Sequence, residues 1–417
     1  MDALAETTAL RRRAYLTFKA NLRHTRYGWL RLTPAYSVHL VKELLDQYAG
    51  HESVVLDPFC GTGTTALVCA ERGIACDTTD INPFLVWLAK AKTRACTVPD
   101  VRRASVAAGW VNTALLQEGG VEAWTPPIHQ IEKWWSGGTI RALGRGMAVL
   151  AGLQHDVPQV ALDLLKVAFC RTLIERANVS FNHQSMSFRK AGVAGSEDDD
   201  RSAAALVAQT WSVAMQEVMQ GAASPIASTP GIAVCDARQL GTALPAARYD
   251  CVLTSPPYPN RMSYVRELRP YMYWLGYLDQ PRDAGDLDWK AMGGTWGSAT
   301  SNVAKWSPPA PAQTGWSGFN EMIAQIAARS DVLARYVHKY FHDFVQHAAG
   351  LAIVVKKGGT IHYVVGNSKF YNVVVPVEEI LAATFRATGF VDVRVRAIRK
   401  RNSKKELYEY RVSGCKA

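Results

Sequence analysis

The feature of the sequence that most constrains its fold is an apolar strand, residues 53–56, that leads directly into a glycine-rich turn and a helix at 64–73. A second predicted strand follows at 75–79, and a second helix at 84–92. This order is that of a βαβ unit, which builds a parallel sheet covered by helices. The loop after the first strand then lies at the sheet edge where α/β proteins bind ligands.

Chain length and pattern divide the sequence into three parts. Its 417 residues exceed the usual size of a single core, so we expect either one domain with insertions or two domains. Residues 1–96 contain the unit above, and residues 97–229 are predicted to form a mainly helical insertion. The strand pattern returns in residues 230–417, which include a Trp-rich loop at 277–318 and a predicted terminal hairpin.

Composition indicates which kind of partner and which cellular compartment to expect. The net charge of +11 favours a polyanionic partner, although charge alone is weak evidence. The eight cysteines show neither a CxxC pair nor Cys/His ligand spacing, so we predict no metal site and no disulfide framework. Residues 1–6 lack a signal-peptide pattern, and no apolar run reaches the ~20 residues of a membrane span. We therefore expect a soluble, cytoplasmic protein.

Carboxylates end the first two predicted strands. Asp57 precedes a turn in which Gly61 and Gly63 can adopt backbone angles that strain other residues. Asp80 follows 23 residues later (80 − 57), where a carboxylate can accept hydrogen bonds from both hydroxyls of a ribose. The pattern favours an adenosine-containing ligand. The alternatives are a helix N-cap for Asp57 and an ordinary tight turn for the glycines.

A second motif, Thr-Ser-Pro-Pro-Tyr at 254–258, follows another predicted strand. Its prolines lack N–H donors and stiffen the loop, which leaves carbonyl oxygens free to accept hydrogen bonds. A Pro-Pro-Tyr tripeptide also occurs in ligands of small recognition domains. Its position directly after an apolar strand favours an active site at the end of that strand instead.

Together, the string Asp-Pro-Phe-Cys-Gly-Thr-Gly-Thr-Thr at 57–65 and the motif at 254–258 resemble the two defining sites of bacterial DNA amino-methyltransferases. The resemblance implies an α/β class I methyltransferase (Rossmann-like) fold. We expect a mixed seven-stranded sheet with helices on both faces and an antiparallel strand from the terminal hairpin. It also implies S-adenosyl-L-methionine as the cofactor and double-stranded DNA as the substrate, in a nucleoid-associated protein. A cognate restriction endonuclease acting separately would be a further partner.

The resemblance also assigns roles to individual residues. The methionine part of the cofactor would be contacted by Asp57, Phe59, Gly61 and Gly63, the ribose by Asp80 and the adenine amino group by Asp236. The segment 33–36 resembles the motif that closes over the methionine end. The predicted cofactor site comprises Thr33, Pro34, Tyr36, Asp57, Pro58, Phe59, Cys60, Gly61, Gly63, Thr64, Asp80, Ile81, Asp236 and Ala237.

The loop at 254–258 is called the catalytic loop below, after its predicted role. The roles predicted for its residues follow from the chemistry of the base. An exocyclic amino group is a poor nucleophile because its lone pair is delocalised into the ring. Acceptors for its hydrogens would localise that lone pair and direct it at the methyl donor. By the family pattern, Ser255 accepts one hydrogen, the Pro256 carbonyl accepts the other, and Tyr258 stacks on the extruded base. Pro257 completes the predicted catalytic set.

The identity of the base rests on one residue. Serine before Pro-Pro-Tyr is mostly typical of cytosine-N4 enzymes and aspartate of adenine-N6 enzymes, so Ser255 favours cytosine. The alternatives are an adenine-N6 methyltransferase, an RNA base-amino methyltransferase and an inactive nucleic-acid-binding protein. Some tRNA enzymes share the string at 57–63, but they usually carry a separate N-terminal RNA-binding domain, for which the ~50 residues before the loop are too few.

Two regions compete for reading the DNA sequence, because the large insertion lies before the third strand of the sheet rather than after the catalytic motif. One is the helical insertion, with its polar segments 131–135 and 178–190, and the other is the Trp-rich loop. Their alternative interpretation is a set of solvated connections. The predicted DNA contacts are Asn182, His183, Arg189, Arg261, Arg266, Arg399, Lys400 and Arg401.

Overall fold

A computed structural model describes residues 14–22, 26–33, 35–117, 124–180, 186–189, 200–294, 298–310, 313–401 and 406–417. The strands, in chain order, are β1 (Val54–Asp57), β2 (Ala75–Asp80), β3 (Val179–Ser180), β4 (Ser187–Phe188), β5 (Gly231–Val234), β6 (Tyr249–Thr254), β7 (Val355–Gly366), β8 (Ser368–Phe370), β9 (Val373–Val375), β10 (Phe390–Lys400) and β11 (Tyr408–Lys416). The α-helices are α1 (Phe18–Asn21), α2 (Val38–Tyr48), α3 (Thr64–Arg72), α4 (Pro83–Thr93), α5 (Val98–Leu116), α6 (Gly137–Gly152), α7 (Gln159–Arg176), α8 (Asp200–Ala222), α9 (Leu240–Ala243), α10 (Arg269–Trp274), α11 (Asp283–Lys290), α12 (Ser298–Lys305), α13 (Phe319–Ala327), α14 (Asp331–Val354) and α15 (Val377–Ala387).

Seven strands form the central sheet, in the order β5-β2-β1-β6-β7-β11-β10. The neighbours from β5 to β7 all pair in parallel. Strand β11 pairs antiparallel with both β7 and β10, so it is the strand that reverses direction. This arrangement confirms the predicted class I methyltransferase fold, including the antiparallel strand supplied by the terminal hairpin.

Local sequence signals set the ends of the elements around β1. Gly63 and Gly73, which flank helix α3, have φ values of 78° and 72°. These are left-handed conformations in which a side chain would be strained, so glycine defines both ends of the helix. Helix α4 begins where the Asn82 side chain accepts a hydrogen bond from the Phe84 N–H.

The parallel strands bring four polar residues to one edge of the sheet. Asp57, Asp80 and Thr254 end β1, β2 and β6, and Asp236 lies two residues beyond the end of β5. From β1 the chain continues outward to β2 and β5, whereas β6 leads to β7 on the other side. The strand order therefore reverses between β1 and β6, and ligands of α/β proteins bind in the crevice at such a point.

Apolar layers cover both faces of the sheet. Successive residues of β1 point to opposite faces, so Val55 packs with helices α2 and α3 and Leu56 packs with α14 and α15. Both side chains are fully buried. The sheet is thereby fixed between two helical layers, which leaves its carboxyl edge as the place for a site.

A third hydrophobic core is formed mainly by the part of the chain between helix α4 and strand β5. Helices α5 to α8 pack around Trp135, Phe169 and Trp211, and Trp274 of α10 joins the same cluster. Arg26 closes the base of this bundle. Its buried guanidinium donates five hydrogen bonds of 2.7–3.1 Å to main-chain carbonyls at the ends of α4 and α8.

Some predicted elements were wrong. The apolar pattern of residues 320–355 predicts one long helix, but the structure has two. Helix α13 ends at Ala327, and the Ser330 side chain caps α14 by accepting a hydrogen bond from the Leu333 N–H. The Trp-rich segment contains α11 and α12 rather than an irregular loop throughout. In the candidate reading segment 131–135, Trp134 and Trp135 are buried in the core of the insertion, so their rings are not available to base edges.

Across the described ranges, no helix is long and apolar enough to cross a membrane. The same residues contain no group of three or more His, Cys, Asp or Glu side chains placed to hold a metal ion. All eight cysteines are free thiols.

Candidate active site

A cavity of about 520 Å³ opens at the carboxyl edge of the sheet. Its walls come from the loops after β1, β2, β5 and β6, from residues before α2, and from the β10–β11 hairpin. The predicted residues that line it are Thr33, Tyr36, Pro58, Phe59, Cys60, Gly61, Thr64, Asp80, Ile81, Asp236, Ala237, Ser255, Pro256, Pro257 and Tyr258. The structure therefore brings the two sequence motifs into one cavity, while the roles given to these residues remain predictions.

Asp57 lies beneath the cavity wall instead of facing the cavity. Its carboxylate accepts hydrogen bonds from the Thr254 hydroxyl at 2.5 Å and from the Phe59 N–H at 3.1 Å. Burial raises the pKa of Asp57. The Asp57 carboxylate thus joins the loop after β1 to the end of β6. Gly63 packs against Ala89 of α4 and does not line the cavity, and Pro34 lies outside the described residues.

Asp80 holds the turn after β1 from the neighbouring strand. One of its carboxylate oxygens accepts the Gly61 N–H and the other accepts the Asn82 N–H, both at 2.9 Å. Burial raises the pKa of Asp80 to about 6. Each carboxylate oxygen has a second lone pair, so the ionised side chain can still accept hydrogen bonds from a ligand.

Asp236, which follows β5, also lines the cavity and is paired with Arg238. The Arg238 guanidinium donates to both carboxylate oxygens, at 2.9 Å from Nε and 2.5 Å from Nη2. Burial alone would raise the pKa of Asp236, but the hydrogen bonds from Arg238 outweigh it and hold the pKa below its ordinary value. The group is therefore a fixed acceptor at the cavity wall.

His347 supports the same wall from below. Its Nδ1 lies 2.9 Å from the Ala237 carbonyl oxygen, and its Nε2 lies 2.7 Å from the Tyr363 hydroxyl. Burial lowers the pKa of His347 to about 4, so the ring is neutral at pH 7. A carbonyl can only accept, so Nδ1 carries the proton and Nε2 accepts from Tyr363. The Phe59 ring packs edge-on against the imidazole, with 4.9 Å between ring centroids.

Hydrogen bonds clamp the catalytic loop at three points. The Ser255 hydroxyl donates to the Val364 carbonyl at 3.0 Å, so its lone pairs remain for accepting. The Tyr340 hydroxyl donates to the Pro257 carbonyl at 2.8 Å, and the Tyr258 N–H donates to the Tyr264 hydroxyl at 2.7 Å. By contrast, no donor from the described part of the chain reaches the Pro256 carbonyl.

The side chain of Tyr258 meets the terminal hairpin. Its hydroxyl donates to Glu409 at 3.1 Å, and Arg399 donates twice to the same carboxylate, at 2.7 and 3.1 Å. The guanidinium carbon of Arg401 lies 5.1 Å from the centroid of the Tyr258 ring. Burial, with Glu409 as the next cause, raises the pKa of Tyr258 above its ordinary range, so the hydroxyl keeps its proton.

The predicted DNA contacts are dispersed. Arg399 and Arg401 line the cavity rather than an outer surface. Arg189 donates to the Val179 carbonyl at 3.0 Å, and Arg261 is exposed beside the catalytic loop. Lys400 and Arg266 lie outside the cavity lining, and Asn182 and His183 lie outside the described residues.

Sequence reasoning missed several residues of the site. Thr254 is the first residue of the recognised motif but received no predicted role, although its hydroxyl could have been predicted to face the Asp57 strand. Tyr264 contacts the same loop from only six residues away. Tyr340, His347 and Glu409 reach the site through long-range packing, and no local pattern marks them.

Comparison with known proteins finds a family match that includes the loop after β1. Residues 24–91 match the model of an N6/N4 methyltransferase family described as DNA methylase. A segment of 73 residues is 34% identical to the Type II methyltransferase M.AvaI of Nostoc sp. and covers 17% of this chain and 15% of that relative. A segment of 82 residues is 31% identical to the Type II methyltransferase M.BsoBI of Geobacillus stearothermophilus and covers 19% and 16% of the two chains. The chain thus spans less than a fifth of the length of these curated relatives.

Among solved structures, the rRNA methyltransferase aviRa from Streptomyces viridochromogenes aligns over 91% of this chain and 86% of its own, with 12% identity and a TM-score of 0.28. That similarity is too low to indicate a substrate. The fold described above is that of the class I methyltransferases. The matches to the N6/N4 family and to the Type II enzymes confirm the predicted resemblance to DNA amino-methyltransferases of the restriction-modification type.

Proposed function

We propose that this protein transfers a methyl group from S-adenosyl-L-methionine to the exocyclic amino group of a flipped base in double-stranded DNA, with cytosine N4 as the target. The observation that carries the proposal is the single cavity shared by the glycine turn after β1 and the Ser-Pro-Pro-Tyr loop after β6. The 2.5 Å hydrogen bond from Thr254 to Asp57 couples these two loops.

The residues at the cavity fit this cofactor. A volume of about 520 Å³ lies within the usual range of small-molecule sites. Asp80, ionised above its pKa of about 6, would accept the ribose hydroxyls. Phe59 and Gly61 would contact the methionine part of the cofactor, and Asp236 the adenine amino group. When bound, the cofactor supplies an electrophilic methyl group.

The catalytic loop would orient the amino group of the base. The hydroxyl of Ser255 donates its proton to Val364, so it faces the cavity as an acceptor. The Pro256 carbonyl, which receives no hydrogen bond from the described residues, would accept the second amino hydrogen. The Tyr258 ring would stack on the base. Two fixed acceptors would hold the nitrogen lone pair toward the methyl donor, which is catalysis by orientation and preorganised electrostatics.

The DNA would approach the carboxyl edge of the sheet. Arg261, exposed beside the catalytic loop, is the predicted cation best placed for a phosphate. The helical insertion of residues 97–229 is the candidate for target recognition, because its core continues through α10, which follows the catalytic loop. A separate restriction endonuclease would act on the same unmethylated sequence.

The test is to incubate the protein with S-adenosyl-L-methionine and mixed-sequence duplex DNA, and to identify methylated nucleosides by mass spectrometry. A tRNA sample serves as the substrate control. The double variant Ser255→Ala, Pro256→Ala tests the catalytic loop, and Ser202→Ala, an exposed serine on α8, is the matched control.

N4-methylcytosine that is lost only in the loop variant is the expected result. N6-methyladenine would retain the mechanism but replace the target base. Product in tRNA alone would contradict the DNA substrate, and absence of product from both nucleic acids would contradict the enzyme function.

A further inference from the structure

The wall of the cavity beside the catalytic loop contains a buried ion pair that none of the roles above uses. Arg399 on β10 and Glu409 on β11 are direct cross-strand partners. Their side chains are 15% and 8% exposed, and both residues line the cavity. The carboxylate receives three donors, two from Arg399 and one from the Tyr258 hydroxyl. The pair is therefore joined to the catalytic loop by one hydrogen bond.

Stability alone does not account for such a pair. Desolvating two charges costs about as much as their attraction returns, and apolar residues of similar volume are often as stabilising in a buried position. The location of the pair is more specific than a structural role requires. Within the described part of the chain, the link between the Glu409 carboxylate and the catalytic loop is the hydrogen bond from Tyr258, the residue predicted to stack on the base.

The backbone of β7 is adapted to this contact. Gly366 is the cross-strand partner of Glu409. A Cβ atom at Gly366 would lie 3.0 Å from Cε2 of Tyr258 and 2.3 Å from Nη1 of Arg401. Glycine at this position therefore lets the tyrosine ring and the Arg401 guanidinium pack directly against the strand.

We propose that Glu409 is a positioning residue of the methyl-transfer site: it fixes the position of the Tyr258 ring through the tyrosine hydroxyl, while Arg399 fixes the Glu409 carboxylate. This inference rests on the proposed function. The Tyr258 N–H bonded to Tyr264 fixes one end of the residue, and the hydroxyl bonded to Glu409 fixes the other. With both ends held, the ring cannot swing about the Cα–Cβ bond, while Gly366 and the Arg401 guanidinium pack against it and limit its rotation about the Cβ–Cγ axis.

The same contact links the ring to the acceptor serine. The Tyr258 hydroxyl lies 3.4 Å from Ser255 Oγ, so a swing of the side chain that moved the hydroxyl would also disturb the acceptor. A base stacked on a ring held in one position would present its amino group to Ser255 in one orientation. Small misplacements of reacting groups lower rates strongly, so the effect is expected on kcat more than on cofactor affinity.

The experiment compares Glu409→Gln, Tyr258→Phe and the double variant, using methyl transfer to mixed-sequence duplex DNA and calorimetric binding of S-adenosyl-L-methionine. Each single variant should lower kcat about tenfold to a hundredfold, the range of one hydrogen bond to a charged group. The double variant should be no slower than the slower single variant, and the cofactor Kd should not change. Glu406→Gln, an exposed residue of the same hairpin, is the matched control.

A charge exchange separates positioning from a purely structural role. The double variant Arg399→Glu, Glu409→Arg keeps a cross-strand ion pair but places a guanidinium at the Tyr258 hydroxyl. It should recover the melting temperature lost in Glu409→Gln without recovering kcat. Recovery of both would assign the pair a structural role and overturn the inference.

The remaining outcomes are equally distinct. Wild-type activity in Glu409→Gln, or independent and additive effects of Glu409→Gln and Tyr258→Phe, would overturn the inference and leave the proposed function intact. A wild-type protein that methylates neither DNA nor RNA would overturn the proposed function and this inference with it.

Discussion

Substituting Gly63 with alanine should destabilise the protein far more than the same change at Gly61, two residues earlier in the same turn. Gly63 has a φ of 78°, and a Cβ added there would lie 2.9 Å from Cβ and 3.1 Å from Cα of Ala89 in helix α4. Gly61 also has a positive φ, 52°, but its nearest neighbour would be the Phe59 carbonyl oxygen at 3.9 Å. The two glycines therefore share a backbone conformation and differ in their surroundings.

The expected magnitudes follow from these distances. A non-glycine residue in the left-handed region costs about 1–2 kcal/mol, and this is the whole cost at Gly61. At Gly63 the clash with the α4 backbone adds about 1–3 kcal/mol of overpacking, for a total of about 2–5 kcal/mol. Gly61 lines the cavity and Gly63 does not. Relative to the stability that each variant loses, Gly61→Ala should therefore lose more cofactor affinity than Gly63→Ala.

Denaturant unfolding followed by tryptophan fluorescence, together with calorimetric cofactor binding, measures both quantities. Ala89→Gly is the rescue variant because it removes the atom that the new Cβ would meet. Combined with Gly63→Ala, it should recover part of the lost stability, despite the roughly 1 kcal/mol that glycine costs within a helix. Equal destabilisation by the two alanine variants, or strictly additive effects of Gly63→Ala and Ala89→Gly, would refute the reasoning.

Three further predictions concern charged or polar groups. Arg26→Met leaves five main-chain carbonyls, three of them buried, without this donor. It should lower the free energy of unfolding by at least about 3 kcal/mol, measured as a shift of the urea midpoint. Thr254→Val removes the 2.5 Å hydrogen bond to Asp57 and should cost about 1–3 kcal/mol, whereas Thr254→Ser should cost less in the same assay. Because burial raises the pKa of Asp80 to about 6, its contribution to stability should fall as pH rises from about 4 through 6. Cofactor affinity should rise over that window, and a calorimetric titration showing no change across pH 6 would contradict the ribose role.

Local signals in the sequence were enough to predict most strands of the sheet and the part of the site predicted to bind the cofactor. Gly63 and Gly73 mark the ends of α3, and the apolar run before Asp57 marks a buried strand, because each depends on neighbours a few residues away. The class I fold could be predicted because its strand order follows from such units and from the motif resemblance. The break at Ser330 escaped prediction because the apolar pattern continues through it.

The part of the site predicted to hold the base depends on contacts between distant parts of the chain. Glu409 meets Tyr258 across 151 residues of sequence, and nothing near either residue indicates the pairing. Arg399, Lys400 and Arg401 were predicted to contact DNA because only their charge is visible in the sequence. The cross-strand register turns Arg399 and Glu409 into partners, and register is set by the folded sheet.

Arg26 has a consequence for how this architecture can change over evolution. One guanidinium contacts the chain where it leaves helix α4 and where it returns after α8, so the entry and exit of the helical bundle are neighbours in space. A segment whose ends meet can be lengthened, shortened or exchanged without altering the register of the strands on either side. Because the core of the bundle is shared with helices α4 and α10, such change is confined to the parts of the bundle that lie away from those two helices.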